Sequence, residues 1–222
     1  MVKVSALFSG GKDSTYATYL LQQQGWEIAS LLTVIPSRND SYMYHYPNIN
    51  WTRMQADALR MDIRTTQSDG DQDIELVDLE RLMAKEDVDG FVSGAIASDY
   101  QWSRLNELCD RLDKPLFSPL WRKDQRAIFE DMLKAGFRII VSGTYAEGLD
   151  EAWLGREIDD DAFSELCDLG EEHGFSVSGE GGEIETFVTD GPNFSSSISI
   201  KRAEKRVSCH TGVYEIIDAG LE

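Results

Sequence analysis

Val2-Lys3-Val4-Ser5-Ala6-Leu7-Phe8, followed at once by Ser9-Gly10-Gly11-Lys12-Asp13-Ser14, is the stretch that decides the fold. The first part is a short, mostly apolar run that reads as a buried strand, and the second is a glycine-containing loop. Beyond it, residues 14–24 place Tyr16, Tyr19 and Leu20 on one helical face, and Gly25 is a stop signal. Residues 28–35 are the next apolar strand. Strand, loop, helix, strand is the unit from which parallel sheets with crossover helices are built.

The loop between that first strand and helix has the chemistry of an anion site. Glycines let the backbone approach a ligand closely. Unpaired N–H groups at a helix start, together with the helix dipole, attract negative charge. Lys12 adds a cation, and the hydroxyls of Ser9 and Ser14 can donate to phosphate oxygens. Two other phosphate motifs are excluded. The residue after Lys12 is Asp13, so the loop is not G-x-x-x-x-G-K-[ST], and there is no G-x-G-x-x-G. A bare carboxylate beside phosphate is costly, so Asp13 suits a bridging Mg²⁺ or a capping role.

Reading outward, the spacing predicts helices at 52–61, 74–86, 101–112 and 124–135. Strands are predicted at 63–66, 90–93, 116–118 and 137–142. This alternation predicts a doubly wound, mostly parallel α/β sheet. Past Gly143 the pattern changes. Residues 147–172 hold eleven acids and one base, Arg156. A helix is predicted from about Asp159-Asp160-Asp161 to just before Gly174, with acids where its N-terminus favours them. A glycine-rich turn at 178–182 and a β-rich tail follow. The expected division is a nucleotide-binding domain at 1–142 and a smaller α+β substrate-binding domain at 143–222. Residues 36–51 gather Tyr42, Tyr44, His45, Tyr46 and Trp51, which reads as a functional loop.

A second constellation is Glu180-Gly181-Gly182-Glu183-Ile184-Glu185-Thr186. On a strand, Glu183 and Glu185 would share a face. Two like charges side by side cost energy unless a metal or a cationic or amine substrate lies between them. Cys209-His210 lacks a third partner at useful spacing and reads as structural. The basic run from Lys201 to Arg206 reads as a charged strand edge.

Ser9–Ser14 resembles the PP-loop of the N-type ATP pyrophosphatases, in which the loop grips the departing pyrophosphate. Combined with Glu180–Thr186 and Asp190-Gly191-Pro192, the chain is similar to the diphthine–ammonia ligase family within that superfamily. Met43-Tyr44-His45-Tyr46-Pro47-Asn48, Gly94-Ala95-Ile96-Ala97-Ser98-Asp99-Tyr100-Gln101 and Pro119-Leu120-Trp121 match as well. So do Glu147-Gly148-Leu149-Asp150 and Trp153-Leu154-Gly155-Arg156. One position departs: the resemblance implies basic residues, common in the family, just after Tyr-Gln, and here Trp102 takes the first such place, leaving Arg104.

The resemblance implies ATP-dependent amidation of diphthine, a modified histidine on elongation factor 2. Ammonium is the nitrogen source and an acyl-adenylate the intermediate; the products are diphthamide, AMP and pyrophosphate. ATP would lie on Ser9, Gly10, Gly11, Lys12, Asp13 and Ser14, with Mg²⁺ on Asp13. The residues expected to be catalytic are Lys12, Asp13, Glu183 and Glu185. Substrate contacts are expected from Tyr44, His45, Tyr100, Gln101 and Arg104, and from Glu180, Gly181, Gly182, Glu183, Glu185 and Thr186. Aromatic faces and carboxylates also suit the quaternary ammonium of diphthine, for which Tyr44, Tyr46 and Trp51 are candidates beside Glu183 and Glu185. Amidotransferases with their own glutaminase expose an N-terminal Cys, and the first here is Cys109, so free ammonium is expected. A homodimer is left open. The alternatives are another PP-loop ligase, such as a tRNA-modifying enzyme, and a non-catalytic nucleotide sensor.

Composition narrows the alternatives. The 222 residues include 21 Lys plus Arg and 40 Asp plus Glu, for a net charge of −19. Such a surface repels phosphate backbones and anionic membranes, which argues against direct nucleic-acid binding and hence against a tRNA substrate. The excess of Asp and the scarcity of Lys fit a high-salt cytosol, where screening relieves self-repulsion. Cys109, Cys167 and Cys209 lie too far apart for a disulfide framework or zinc ribbon. With no signal-like or membrane-length apolar run, a cytoplasmic protein is expected.

Overall fold

The computed structural model describes residues 1–36, 48–69, 72–208 and 211–222, with the backbone alone at 72 and 73. Two sheets organise these residues. The first is parallel and five-stranded, in the order β3-β2-β1-β4-β5, from β1 (Lys3–Leu7), β2 (Glu27–Pro36), β3 (Ile63–Ser68), β4 (Gly90–Val92) and β5 (Leu116–Phe117). Helices α1 (Lys12–Gln23), α2 (Thr52–Leu59), α3 (Gln72–Met83) and α4 (Asp99–Arg111) are its crossovers. The chain runs outward from β1 through β2 to β3, then returns to the other side of β1 for β4. That reversal is a topological switch point, where ligands of such sheets bind beyond the strand C-termini.

The second sheet is four-stranded, in the order β7-β6-β9-β8. Its strands are β6 (Arg138–Thr144), β7 (Ile184–Asp190), β8 (Ile198–Ser208) and β9 (Thr211–Leu221), and every pairing is antiparallel. Helix α5 (Gln125–Lys134) leads into it, and α6 (Asp160–His173) lies between β6 and β7 in the chain. The strand expected at 137–142 is therefore present, but it pairs antiparallel in this sheet and does not extend the parallel layer. The reason is physical. Arg138–Thr144 is buried at every position but the first, and a short apolar run such as Ile139-Ile140-Val141 identifies a buried strand without naming its partner.

Helix ends follow local chemistry. Asp124 and Asp159 cap α5 and α6 by accepting from Ala127 N and Ala162 N, and Gly174 closes α6 in the left-handed region at φ 76°. One hydrophobic core joins both sheets. It holds Val4 and Ala6 of β1, Tyr16 and Leu21 of α1, Phe129 of α5, Ile139 and Val141 of β6, and Val188 of β7. Phe129 stacks on Phe163 with ring centroids 4.7 Å apart, and Tyr16 and Tyr19 each meet the edge or face of Phe137. Helix α1 is thus packed against the second sheet as well as the first.

Candidate active site

Ser9–Lys12 occupies the switch point. Gly10 has φ 79°, and a Cβ there would lie 2.1 Å from Gln55 Oε1, so neither the backbone nor the space admits a side chain. The loop braces itself: Ser9 and Ser14 hydroxyls are 3.1 Å apart, and Ser14 Oγ and Thr15 Oγ1 donate to Gly11 O at 3.2 and 2.8 Å. The loop following β4 arrives from the other side of the switch point. A Cβ at Gly94 would lie 2.6 Å from Ser14 N, so glycine lets this loop touch the first turn of α1.

The Glu180–Thr186 segment meets the phosphate loop directly. Lys12 N donates to Thr186 Oγ1 at 3.2 Å, and Val188 N donates to Gly10 O at 3.1 Å. Gln55, fully buried on α2, donates through Nε2 to both Gly10 O and Val188 O at 2.8 Å. The sequence reading missed Gln55. Its signal was a polar residue in the buried stripe Thr52, Gln55, Ala56, Leu59 of α2.

Lys12 is only 3% exposed. Its Nζ donates to Asp13 Oδ2 at 2.7 Å and to Ser178 O at 2.5 Å, and lies 5.7 Å from the centre of the Phe129 ring. Burial pushes the Asp13 carboxyl upward against the pull of Lys12, and the Glu180 charge adds to that rise. Asp13 Oδ1 is buried without a partner. Burial pushes Glu185 up to about 8, opposed by Lys12 and reinforced by Asp13. Tyr145, pushed up to about 12 by burial and by Glu185, also has a buried, unpartnered hydroxyl.

The glutamates divide their roles. Glu180 Oε2 accepts from Ala97 N and Ser98 N at 2.9 Å each, fixing the turn to the start of α4. Glu183 precedes β7, and its carboxylate accepts from Ser176 N at 3.3 Å and Gly181 N at 2.9 Å. The two carboxylates thus have different surroundings, although Glu183 O still accepts from Tyr145 N at 2.8 Å beside the β6–β7 pairing. Glycines 181 and 182 let the chain bend before the strand starts, and Glu183 closes that bend, while Glu185 stands on β7 under the influence of Lys12 and Asp13.

Two family models match the chain: the diphthamide synthase N-terminal domain over residues 2–114 and the diphthamide synthase C-terminal domain over residues 124–221. The chain belongs to the diphthamide synthase family. It is 33% identical to a diphthine–ammonia ligase of Bos taurus and 32% identical to that of Homo sapiens, in each case over 91% of this chain and 84% of the relative. A solved chain described as a predicted subunit of tRNA methyltransferase from Methanocaldococcus jannaschii is similar at 16% identity. That match has a TM-score of 0.45 and covers 86% of this chain and 100% of the other.

The remaining site expectations fall as follows in this diphthamide synthase family member. Tyr44, His45 and Tyr46 lie outside the described residues. Trp51 is not a free aromatic face: its Nε1 donates to Ile216 O at 3.0 Å and its ring packs against the core of the second sheet. Tyr100 is 43% exposed on α4, with the Arg104 guanidinium 4.3 Å from its ring centre. Both line an open groove of about 670 Å³ between α3 and α4. Gln101 N donates to the Ser98 cap, which joins this helix to the Glu180 anchor. Trp102 stacks on Trp121, with ring centroids 5.1 Å apart. Cys109 is buried and its thiol is pushed up to about 12 by burial, the environment of a structural cysteine. Among the described residues, no three of His, Cys, Asp and Glu converge to hold a metal ion, and no helix is long and apolar enough to cross a membrane.

The buried, unpartnered Asp13 Oδ1 fits a cation that phosphate oxygens would also ligate. Mg²⁺ is commonly held this way, by one or two carboxylates plus substrate phosphates, and needs no all-protein cage.

Proposed function

We propose that this chain is an ATP-dependent amide ligase that converts diphthine on elongation factor 2 to diphthamide, with ammonium as nitrogen donor. The observation that carries the reading is the direct join between the phosphate loop and the acidic segment at Lys12, whose amide meets Thr186 and whose ammonium meets Ser178 O.

A carboxylate is a poor electrophile and needs a good leaving group before an amine can attack it. The diphthine carboxylate oxygen would attack the α-phosphorus of ATP, and the bond to pyrophosphate would break. The loop amides and Lys12 stabilise the charge that gathers on the departing pyrophosphate. The acyl carbon of the resulting adenylate then accepts ammonia nitrogen and expels AMP. Glu185, pushed up to about 8, would in its ionised form take the proton lost by the amine.

Lys12 lies against Asp13 and acts on Glu185, and the Glu180 charge acts on Asp13, so polyphosphate enters an acidic neighbourhood. Asp13 would hold Mg²⁺, which when bound neutralises phosphate charge. The same acidity suits a substrate bearing a quaternary ammonium.

Oxygen labelling tests the route. With ¹⁸O in the diphthine carboxylate, the reading requires label in the AMP phosphate. Unlabelled AMP rules out the acyl-adenylate, and formation of ADP rules out the pyrophosphatase assignment.

A further inference from the structure

Gln125 is the first residue of α5, outside both motifs and more than a hundred residues from the phosphate loop in sequence. Its side-chain Oε1 accepts two hydrogen bonds, from Ser176 Oγ at 2.5 Å and Ser178 Oγ at 2.8 Å. Those hydroxyls are also 3.0 Å from each other, so the three groups form a closed triangle. Ser178 is 3% exposed, and its main-chain oxygen is, with Asp13 Oδ2, an acceptor of the Lys12 ammonium among the described residues. The other acceptor, Asp13, moves with Lys12 as its chain neighbour and gives no external reference for the position of the cation. The Ser178 carbonyl does give one.

We infer that Gln125 is a positioning residue for Lys12 that acts through Ser178. The inference rests on the reading of Lys12 as an ATP-binding cation. A lysine stem has several rotatable bonds, and here its ammonium lies against the Asp13 carboxylate and interacts with Glu185. Without a fixed carbonyl it would settle on whichever carboxylate is nearest, and ATP would have to draw it out. Holding it at one point in advance removes that cost from binding. The role uses only the acceptor oxygen of Gln125. A carboxylate supplies the same acceptor, so Gln125→Glu should serve, whereas Gln125→Leu should not.

The test is calorimetric titration of the full chain with MgATP, alongside steady-state kinetics with ammonium and diphthine-bearing factor. Gln125→Leu is expected to weaken MgATP binding about tenfold, the scale of one hydrogen bond to a charged group. Its KM for ammonium should be unchanged, and Gln125→Glu should bind MgATP within about twofold of wild type. Ser178→Ala should weaken MgATP binding similarly, and the double variant should be no worse than Gln125→Leu alone. Wild-type affinity in Gln125→Leu, failure of Gln125→Glu to restore it, or additive losses would each overturn the inference. MgATP binding is measured without turnover. A wild-type chain that bound MgATP and made no amide would therefore sink the proposed reaction while still deciding the role of Gln125.

Discussion

The main-chain N–H of Lys12 donates to the Thr186 hydroxyl at 3.2 Å, across 174 positions of sequence. The C-terminal sheet therefore closes the phosphate loop. Thr186→Val keeps the shape and removes the acceptor, leaving a buried amide unsatisfied. Denaturant unfolding should show a loss of about 1–3 kcal/mol, with weaker MgATP binding, and Thr186→Ser should restore both.

Gly10 and Gln55 form the second clasp. Gly10→Ala places a Cβ 2.1 Å from Gln55 Oε1 at a residue with φ 79°. Both the clash and the left-handed backbone oppose it, and a loss of about 1–3 kcal/mol with collapse of ATP turnover is expected. Gln55→Leu should destabilise on a similar scale of about 1–3 kcal/mol, because two buried carbonyls lose a shared donor.

Acidity leaves a signature in stability. The folded-state value of Glu185, about 8, lies above its ordinary 4.5, so the native state holds the proton more tightly than the unfolded chain. Stability must then fall as pH rises from 4.5 towards 8, and the raised Asp13 acts in the same direction. Glu185→Gln removes the titration. Relative to wild type it should match at pH 4, gain stability across that window and hold a constant advantage above it, as read by unfolding at fixed salt.

Lys12→Met tests the catalytic side. It removes a buried cation beside Asp13 and Glu185, so ATP turnover should fall about a hundredfold to a thousandfold, the scale of losing one preorganised charge-stabilising donor. Turnover near wild type would place the pyrophosphate elsewhere.

Much of this was legible in the sequence, for reasons that particular residues display. Strand, glycines, lysine and helix fall in the order the chemistry needs between Val2 and Gln23, and Asp124, Asp159 and Gly174 mark helix ends by local hydrogen bonding. Partner choice was less legible. Arg138–Thr144 reads as a buried strand in either sheet, and only its pairing with β7 and β9 decides between them. The glycine-rich turn before β7 was legible from Gly179, Gly181 and Gly182, but the separate partners of Glu180 and Glu183 come from long-range and turn contacts that spacing does not reveal. Gln55, Gln125 and Ser178 carry no motif. Their importance comes from long-range contacts that bring α2, α5 and the turn before β7 to one loop.

The most direct test of the central claim is incubation with ATP, Mg²⁺, ¹⁵N-ammonium and diphthine-bearing elongation factor 2, with the factor analysed by mass spectrometry and the nucleotides by chromatography. The account predicts a carboxyl-to-amide mass change carrying ¹⁵N, with one AMP and one pyrophosphate per amide. No amide, or amide formed with ADP in place of AMP, would contradict it.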